Sequence, residues 1–289
     1  MSEDPAPSRR RRAGREAVDE RTLPLYAAGE LDVPFVVKGV RELITRDTRW
    51  APHAHPTHEL LWNTRGASTV SVEDRTWIIS PGIGVWMPAG TVHSGAASAG
   101  TSQRATHFHV EETPALAAEP MTVEITPLLS LLLTRLEDPS LSSRSRDLTE
   151  QLVLDVIEPS PHRLLVRVPR KGILGPIAES ALADPSDPRG LNEWARELGV
   201  STRTIARAFR AETGLSFHQW QTAVRAQHAI ALLAEDLTVE EVARVVGYSS
   251  ASAFVVGFRR ATGWTPGRFR PSSNLPTDVH YATSVDSIA

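Results

Sequence analysis

Apolar positions recur on two different periods along this chain, and the change of period divides it. Between residues 30 and 112 they come in short runs rich in β-formers, such as Phe35-Val36-Val37, Ser68-Thr69-Val70-Ser71-Val72 and Thr76-Trp77-Ile78-Ile79. The turn signals Pro81-Gly82 and Ala89-Gly90 interrupt them. Several short strands at regular spacing predict a sandwich or barrel. From residue 123 to 158 the period lengthens. Leu128, Leu129, Leu132, Leu133 and Leu136, then Leu148, Leu152 and Ile157, recur at helical spacing. Pro159, Pro161 and Pro169 mark a connector, and Gly172 to Arg270 reads as a series of short helices. The fold class is therefore α+β and multidomain.

Composition narrows this little. At 289 residues the chain has room for about two domains. Its 41% hydrophobic and 22% charged residues are ordinary for a globular protein. With no cysteine, disulfide and thiolate chemistry are excluded, which fits a reducing, cytoplasmic location. No apolar run reaches the roughly 18 residues of a membrane span, and the N-terminus lacks the apolar core of a secretory signal. The net charge of −3 does not advertise nucleic-acid binding, so that case rests on local patches. Residues 1–22, with the run Arg9-Arg10-Arg11-Arg12, read as a disordered basic tail, and residues 272–289, rich in Ser, Pro and Asp, as a second disordered tail.

The strongest signal is an internal repeat. Trp194-Ala195-Arg196-Glu197-Leu198-Gly199-Val200-Ser201 matches Val242-Ala243-Arg244-Val245-Val246-Gly247-Tyr248-Ser249. Downstream, Phe209-Arg210-Ala211-Glu212-Thr213-Gly214 matches Phe258-Arg259-Arg260-Ala261-Thr262-Gly263, with one extra residue in the second copy. Each copy has the physics of a helix-turn-helix. Ala195 or Ala243 lets two helices cross closely, and Gly199 or Gly247 takes a left-handed turn. Ser201, and Ser249 or Ser250, can cap the following helix. Val200 or Tyr248 plugs the corner, and Phe209 or Phe258 anchors the second helix. A long helix from Ser216 to about Glu235 joins the copies and buries Trp220, Val224, Ile230, Leu232 and Leu233.

The second copy, from Val242-Ala243 through Gly247-Tyr248-Ser249, Phe254, Phe258-Arg259-Arg260, Gly263, Thr265-Pro266 and Phe269-Arg270, resembles the signature of the AraC/XylS family of transcription regulators. The likeness covers residues 173–270. It implies recognition helices near 201–212 and 250–261, lying in successive major-groove segments about 34 Å apart. Thr202, Arg203, Ala206 and Arg207 are the outward positions of the first. Arg203 and Arg207, four apart, share a face and can each read a guanine edge. The outward face of the second is Ala251, Ser252, Val255 and Val256. The family often has an arginine where Val256 stands, so specificity is expected mostly from the first helix. Arg210, Arg259 and Arg260 are placed for phosphate.

A second constellation lies in the strand-rich part: His53-x-His55-x-x-x-Glu59, Gly66, Gly82, and Pro88-x-Gly90-x-x-His93. The even spacing of His53, His55 and Glu59 lets one strand face present all three, with His93 from another strand. Three imidazoles and a carboxylate suit a divalent transition metal such as Fe, Mn, Ni or Zn. The pattern resembles the two motifs of the cupin superfamily, with Ala97 where cupins often have asparagine. The other reading is a relic barrel that binds an organic effector, with the histidines as hydrogen-bond donors. His58 has odd spacing and is expected to point away. His107 and His109 read as pocket lining or surface, and Trp62, Trp77 and Trp86 as core.

The domains expected are a tail (1–22), a cupin-like sensor barrel (23–118), a helical linker that packs on the barrel or on a second subunit (119–171), an AraC-type DNA-binding domain (172–271) and a tail (272–289). The function expected is a sequence-specific transcription regulator, not an enzyme. Its expected partners are an operator duplex, a small-molecule or metal effector and a second copy of itself, with RNA polymerase a candidate and no membrane. The alternative is a cupin metalloenzyme, of oxygenase or isomerase type, fused to a DNA-binding domain.

Overall fold

The computed structural model describes residues 18–160, 165–169, 172–235 and 237–270. Its strands run in chain order β1 (Asp19–Arg21), β2 (Val37–Leu43), β3 (Thr48–His53), β4 (His58–Arg65), β5 (Ser68–Val72), β6 (Arg75–Ile79), β7 (Ile83–Met87), β8 (His93–Ala97), β9 (Ser102–Phe108), β10 (Met121–Glu124) and β11 (Leu165–Arg167). They form a six-stranded sheet in the order β1-β3-β8-β5-β6-β11 and a five-stranded sheet in the order β10-β7-β4-β9-β2. Leu61, Val70, Val72, Trp77, Ile79, Val85 and Met87 fill the space between them. Their alternation with outward residues is the period-2 pattern of strands with two distinct faces.

The expected boundaries move in three places. Asp19–Arg21, placed in the tail by its charge, pairs in parallel with Thr48–Trp50. Its Arg21 side chain is bonded to Asp19 and Glu42, so these charges are used inside the fold. The barrel does not stop at 118. Met121–Glu124 pairs with β7, and Leu165–Arg167 with β6, so two edge strands come from the presumed linker. Short edge strands carry little apolar periodicity of their own, because neighbouring elements dictate their pairing. The Arg9–Arg12 run and the tail at 272–289 lie outside the described residues.

Two helices follow the strands of the five-stranded sheet, α1 (Pro127–Leu136) and α2 (Ser143–Val156). Thr126 and Ser142 cap them by accepting from Leu129 N and Ser145 N. Leu129, Leu133, Leu136 and Val153 pack against Val37, Leu60, Trp62, Trp86 and Phe108 on the outer face of that sheet. Each such fully buried side chain contributes about 1.5–3 kcal/mol. Trp62 and Trp86 therefore sit beneath the helices, and Trp77 sits within the barrel. The opposite helix faces are open: Leu128, Leu131, Leu148 and Leu152 are 51%, 59%, 57% and 41% exposed.

The C-terminal half contains α3 (Gly175–Ala183), α4 (Leu191–Glu197), α5 (Thr202–Thr213), α6 (Phe217–Ala234), α7 (Val239–Val245) and α8 (Ala251–Thr262). It has two cores, one for each repeat. Ile177, Trp194, Ile205, Phe209 and Phe217 centre the first, and Val242, Val246, Phe254, Phe258 and Phe269 the second. Helix α6 feeds both, giving Trp220 and Val224 to the first and Ala226, Ile230 and Leu233 to the second.

Strand β6 has two tasks. Trp77 and Ile79 face the barrel interior, while Ile78, with Ile83 from β7, joins the core of the second repeat. Gln227 on α6 donates to the Thr76 carbonyl at 3.3 Å, and Arg268 pairs with Glu124. Val166 of β11 and the following Val168 enter the core of the first repeat.

Candidate functional sites

The two helix-turn-helix units have the construction expected of them. Gly199 and Gly247 have φ of +64° and +80°, where a side chain would be strained. Ser201 caps α5 by accepting from Thr204 N, and Ser250, the second of the two candidate serines, caps α8 by accepting from Ala253 N. Both helices end on left-handed glycines, Gly214 and Gly263. In α5 only Ile205 and Phe209 are buried, and in α8 Phe254, Phe258 and Thr262, so each helix keeps one face free.

On α5 the free face carries Thr202, Arg203 and Arg207, all exposed, with Ala206 half-buried. On α8 it carries exposed Ser252 and Val256, with Ala251 and Val255 half-buried. Arg210, Arg259 and Arg260 are exposed at the C-terminal ends. None of the five arginines forms an ion pair among the described residues. Three arginines along α5 and two along α8 make a basic surface on a chain of net charge −3, a distribution suited to a polyanion.

The barrel site is assembled differently from the sequence expectation. His53, His55 and Glu59 do not share a strand face: His53 ends β3, His55 lies in the connection, and Glu59 is in β4 of the other sheet. The β3–β8 register slips between Trp50 and His53, and Pro56, which has no N–H to give a ladder, follows in the connection. The chain crosses from one sheet to the other between His53 and His58, and the side chains converge because the sheets face each other.

Two cross-strand pairs meet there, His53 with His93 and Glu59 with His107. Donor atoms of His53, His55 and His93 lie within 4.8 Å of one another. Glu59 Oε1 is 3.8 Å from His55 Nε2, and Oε2 is 3.5 Å from His93 Nε2. The Nδ1 atoms of His53 and His93 are bonded to the carbonyls of Ala51 and Thr91 at 2.8 and 2.9 Å. Those bonds place the proton on Nδ1 and leave Nε2 as a lone pair, the tautomer a metal requires.

Burial pushes the pKa of His55 down to about 4 and lowers those of His53 and His93, so all three are neutral at pH 7. Burial raises that of Glu59, whose Oε2 has no hydrogen-bond partner. A buried carboxylate oxygen left unpaired is costly unless a cation offsets it. Neutral imidazoles and such a carboxylate fit a divalent transition metal, and ligand bonds of about 2.0–2.2 Å would draw the donors slightly inward.

The site opens into a cavity of about 70 Å³, walled by Leu23, Val40, Trp50, Leu61, Val70 and Ile79 and by Gln103 and His107. His58 points away, as its spacing implies, accepting from Ala89 N and stacking on Trp86. His109 lies apart, near Asp32. Trp50 and Gln103 are wall residues that the motif reading passed over. Period 2 back along β9 from His107 would have found Gln103.

Two family models match the chain: an AraC-like ligand binding domain over residues 40–170 and a helix-turn-helix domain over residues 194–272. The chain thus carries an AraC-like ligand-binding domain followed by a helix-turn-helix domain. It is 29% identical to the HTH-type transcriptional regulator NimR of Escherichia coli (strain K12) over 221 residues, 75% of this chain and 81% of NimR. It is 38% identical to the HTH-type transcriptional regulator RipA of Corynebacterium diphtheriae over 133 residues, which are 43% of this chain and 40% of RipA. Among solved structures, apo ToxT K231A from Vibrio cholerae strain SCE256 covers 81% of this chain and 97% of its own, at 11% identity and a TM-score of 0.36. The chain is a transcriptional regulator with a ligand-binding domain, and no helix among its described residues is long and apolar enough to cross a membrane.

Proposed function

We propose that this chain binds an operator through α5 and α8 and that its barrel senses an effector that includes one divalent transition metal. The observation that carries the first part is the pair of free helix faces, each behind a left-handed glycine and each ending in unpaired arginines. Arg203 and Arg207, with Thr202 and Ala206, read bases. Ala251, Ser252 and Val255 contribute thymine-methyl and shape contacts, and Arg210, Arg259 and Arg260 hold phosphates. The barrel is then a sensor and not a catalyst, in a protein of the cytoplasm. RNA polymerase is a natural further partner of such a regulator.

His53, His55, Glu59 and His93 would hold the metal, which supplies a Lewis-acidic site for an effector's lone pair. The support for this is the unpaired Glu59 oxygen facing lone-pair imidazoles. Strand β6 is the route from the cavity to the DNA-binding half, because Ile79 lines the cavity and Ile78 packs in the second repeat. A change in the cavity can thereby bias the orientation of α8.

Leu128, Leu131, Leu148 and Leu152 form the surface for a second copy. Leu131→Lys with Leu148→Lys should yield a monomer at micromolar concentration by sedimentation, and a wild-type chain already monomeric there would remove the dimer. Metal analysis of purified protein, with footprinting in metal and in chelator, tests the sensor. Unchanged footprints in both would count against a metal effector.

A further inference from the structure

Beside the cluster of His53, His55 and His93, a further histidine, His107, reaches Glu59. We propose that His107 is a fifth protein ligand of the barrel metal and that Thr57 is the residue that aims it. This rests on the metal reading above and extends it.

His107 stands on β9, directly across from Glu59 on β4, so the pair shares one interior face at the close spacing of cross-strand neighbours. Its Nε2 lies 3.9 Å from Glu59 Oε1, against 3.8 Å for His55 and 3.5 Å for His93 to the same carboxylate. Two donors bound at about 2.1 Å can be no more than about 4.2 Å apart. His55, His93 and His107 are each within reach of an ion shared with Glu59, alongside the donor cluster of His53, His55 and His93. The His107 ring is edge-on to His55, with centroids 5.2 Å apart.

Its second nitrogen also has a buried partner, here a hydroxyl that accepts from Nδ1–H when Nε2 is the lone pair. His107 Nδ1 is bonded to Thr57 Oγ1 at 3.0 Å, as His53 Nδ1 is to Ala51 O and His93 Nδ1 to Thr91 O. Thr57 and His107 are both fully buried. A metal-binding imidazole characteristically has this anchor on its far side. Thr57 lies in the connection between His55 and His58, so the segment that brings in His55 also aims His107.

The consequence is chemical. At a six-coordinate ion, three histidines and a glutamate would leave two positions for other donors, whereas a fifth protein donor would leave one. One position admits a single donor atom of an effector but not a chelating substrate together with a co-reactant. A nearly closed site of this kind suits sensing, and open positions are what catalytic metal sites preserve.

The test uses Co²⁺ in the full-length chain. Wild type, His93→Gln, His107→Gln and Thr57→Val are titrated by visible absorption, and the hyperfine-shifted, solvent-exchangeable imidazole N–H signals of each Co²⁺ form are recorded by NMR. The proposal expects one such signal to disappear in His107→Gln, with an affinity loss above ~10-fold. It expects Thr57→Val to shift that same signal and weaken Co²⁺ binding by about 10–100-fold. Should His107→Gln fail to fold, Thr57→Val decides alone. A His107→Gln or Thr57→Val form that keeps the wild-type signals and affinity, while His93→Gln loses Co²⁺, overturns the role of His107 and leaves the metal site standing. Absence of Co²⁺ binding by wild type overturns both.

Discussion

The two repeats solve one packing problem in two ways, and the difference can be measured. In the first, the corner is plugged by Val200, and the aligned position on the recognition helix is Ala208. In the second, the plug is Tyr248 and the aligned position is Gly257. A Cβ added to Gly257 would lie 2.6 Å from the Tyr248 hydroxyl oxygen and 3.0 and 3.1 Å from Cε1 and Cζ. The ring cannot simply withdraw, because it packs edge-on to Phe254 at 5.6 Å and under Arg225 at 5.8 Å. Gly257→Ala therefore sets an overpacking cost of about 1–3 kcal/mol against a helix-propensity gain of about 1 kcal/mol. The net is a loss of about 0–2 kcal/mol. Replacing Tyr248 with Val removes the clash and recreates the pair found in the first repeat. Urea unfolding of the wild type, the two single variants and the double variant, followed by circular dichroism, gives the coupling energy. We expect about 1–3 kcal/mol in favour of the double variant. Additivity within about 0.5 kcal/mol, the behaviour of independent sites, would refute the argument.

Three further outcomes follow from the same geometry. Glu59→Gln removes an unpaired buried carboxylate, so the metal-free protein should melt higher while the melting shift on adding metal vanishes. A lower melting point without metal would mean that Glu59 is satisfied in a way the unpaired Oε2 does not suggest. Arg203→Ala should weaken specific DNA binding far more than non-specific binding, whereas Arg210→Ala should weaken both and reduce the salt slope by about 0.9; equal losses for Arg203→Ala would place it on phosphate. In the metal-free protein, the His55 pKa falls from 6.5 to about 4 on folding, so its contribution is intact above pH 6.5 and is lost as pH falls toward 4. His53 and His93 act in the same direction, while Glu59, raised by burial, contributes stability that is lost as pH rises. Denaturation midpoints from pH 4 to 8 should rise with pH, and a flat profile would contradict neutral, buried imidazoles.

The helical half is legible in the sequence because its determinants are local. Gly199, Ser201 and Gly214 each fix one backbone feature by their own chemistry, and the repeat writes the pattern twice. The caps at Ser201, Ser216 and Ser250 fall where side-chain type alone places them. The barrel is less legible because its pairing is non-local. Residues Asp19–Arg21 and Leu165–Arg167 are strands only because β3 and β6 offer open edges. The candidate donor set could be read as residue types, but its geometry could not. Even spacing from His53 to Glu59 suggested a single face, yet the chain changes sheets between them and meets itself across the interior. The periodicity of Leu148 and Leu152 predicted a helix correctly but not which face would be covered, since both are largely exposed.

In the proposed complex, α5 and α8 enter one duplex side by side. Sites recovered by genome-wide mapping of the bound chain, then footprinted with hydroxyl radicals, test it most directly. Two protected tracts are expected on one face of the duplex, about 10 base pairs from centre to centre, with the α5 tract lost in Arg203→Ala. A single short tract, or two on opposite faces of the DNA, would contradict it.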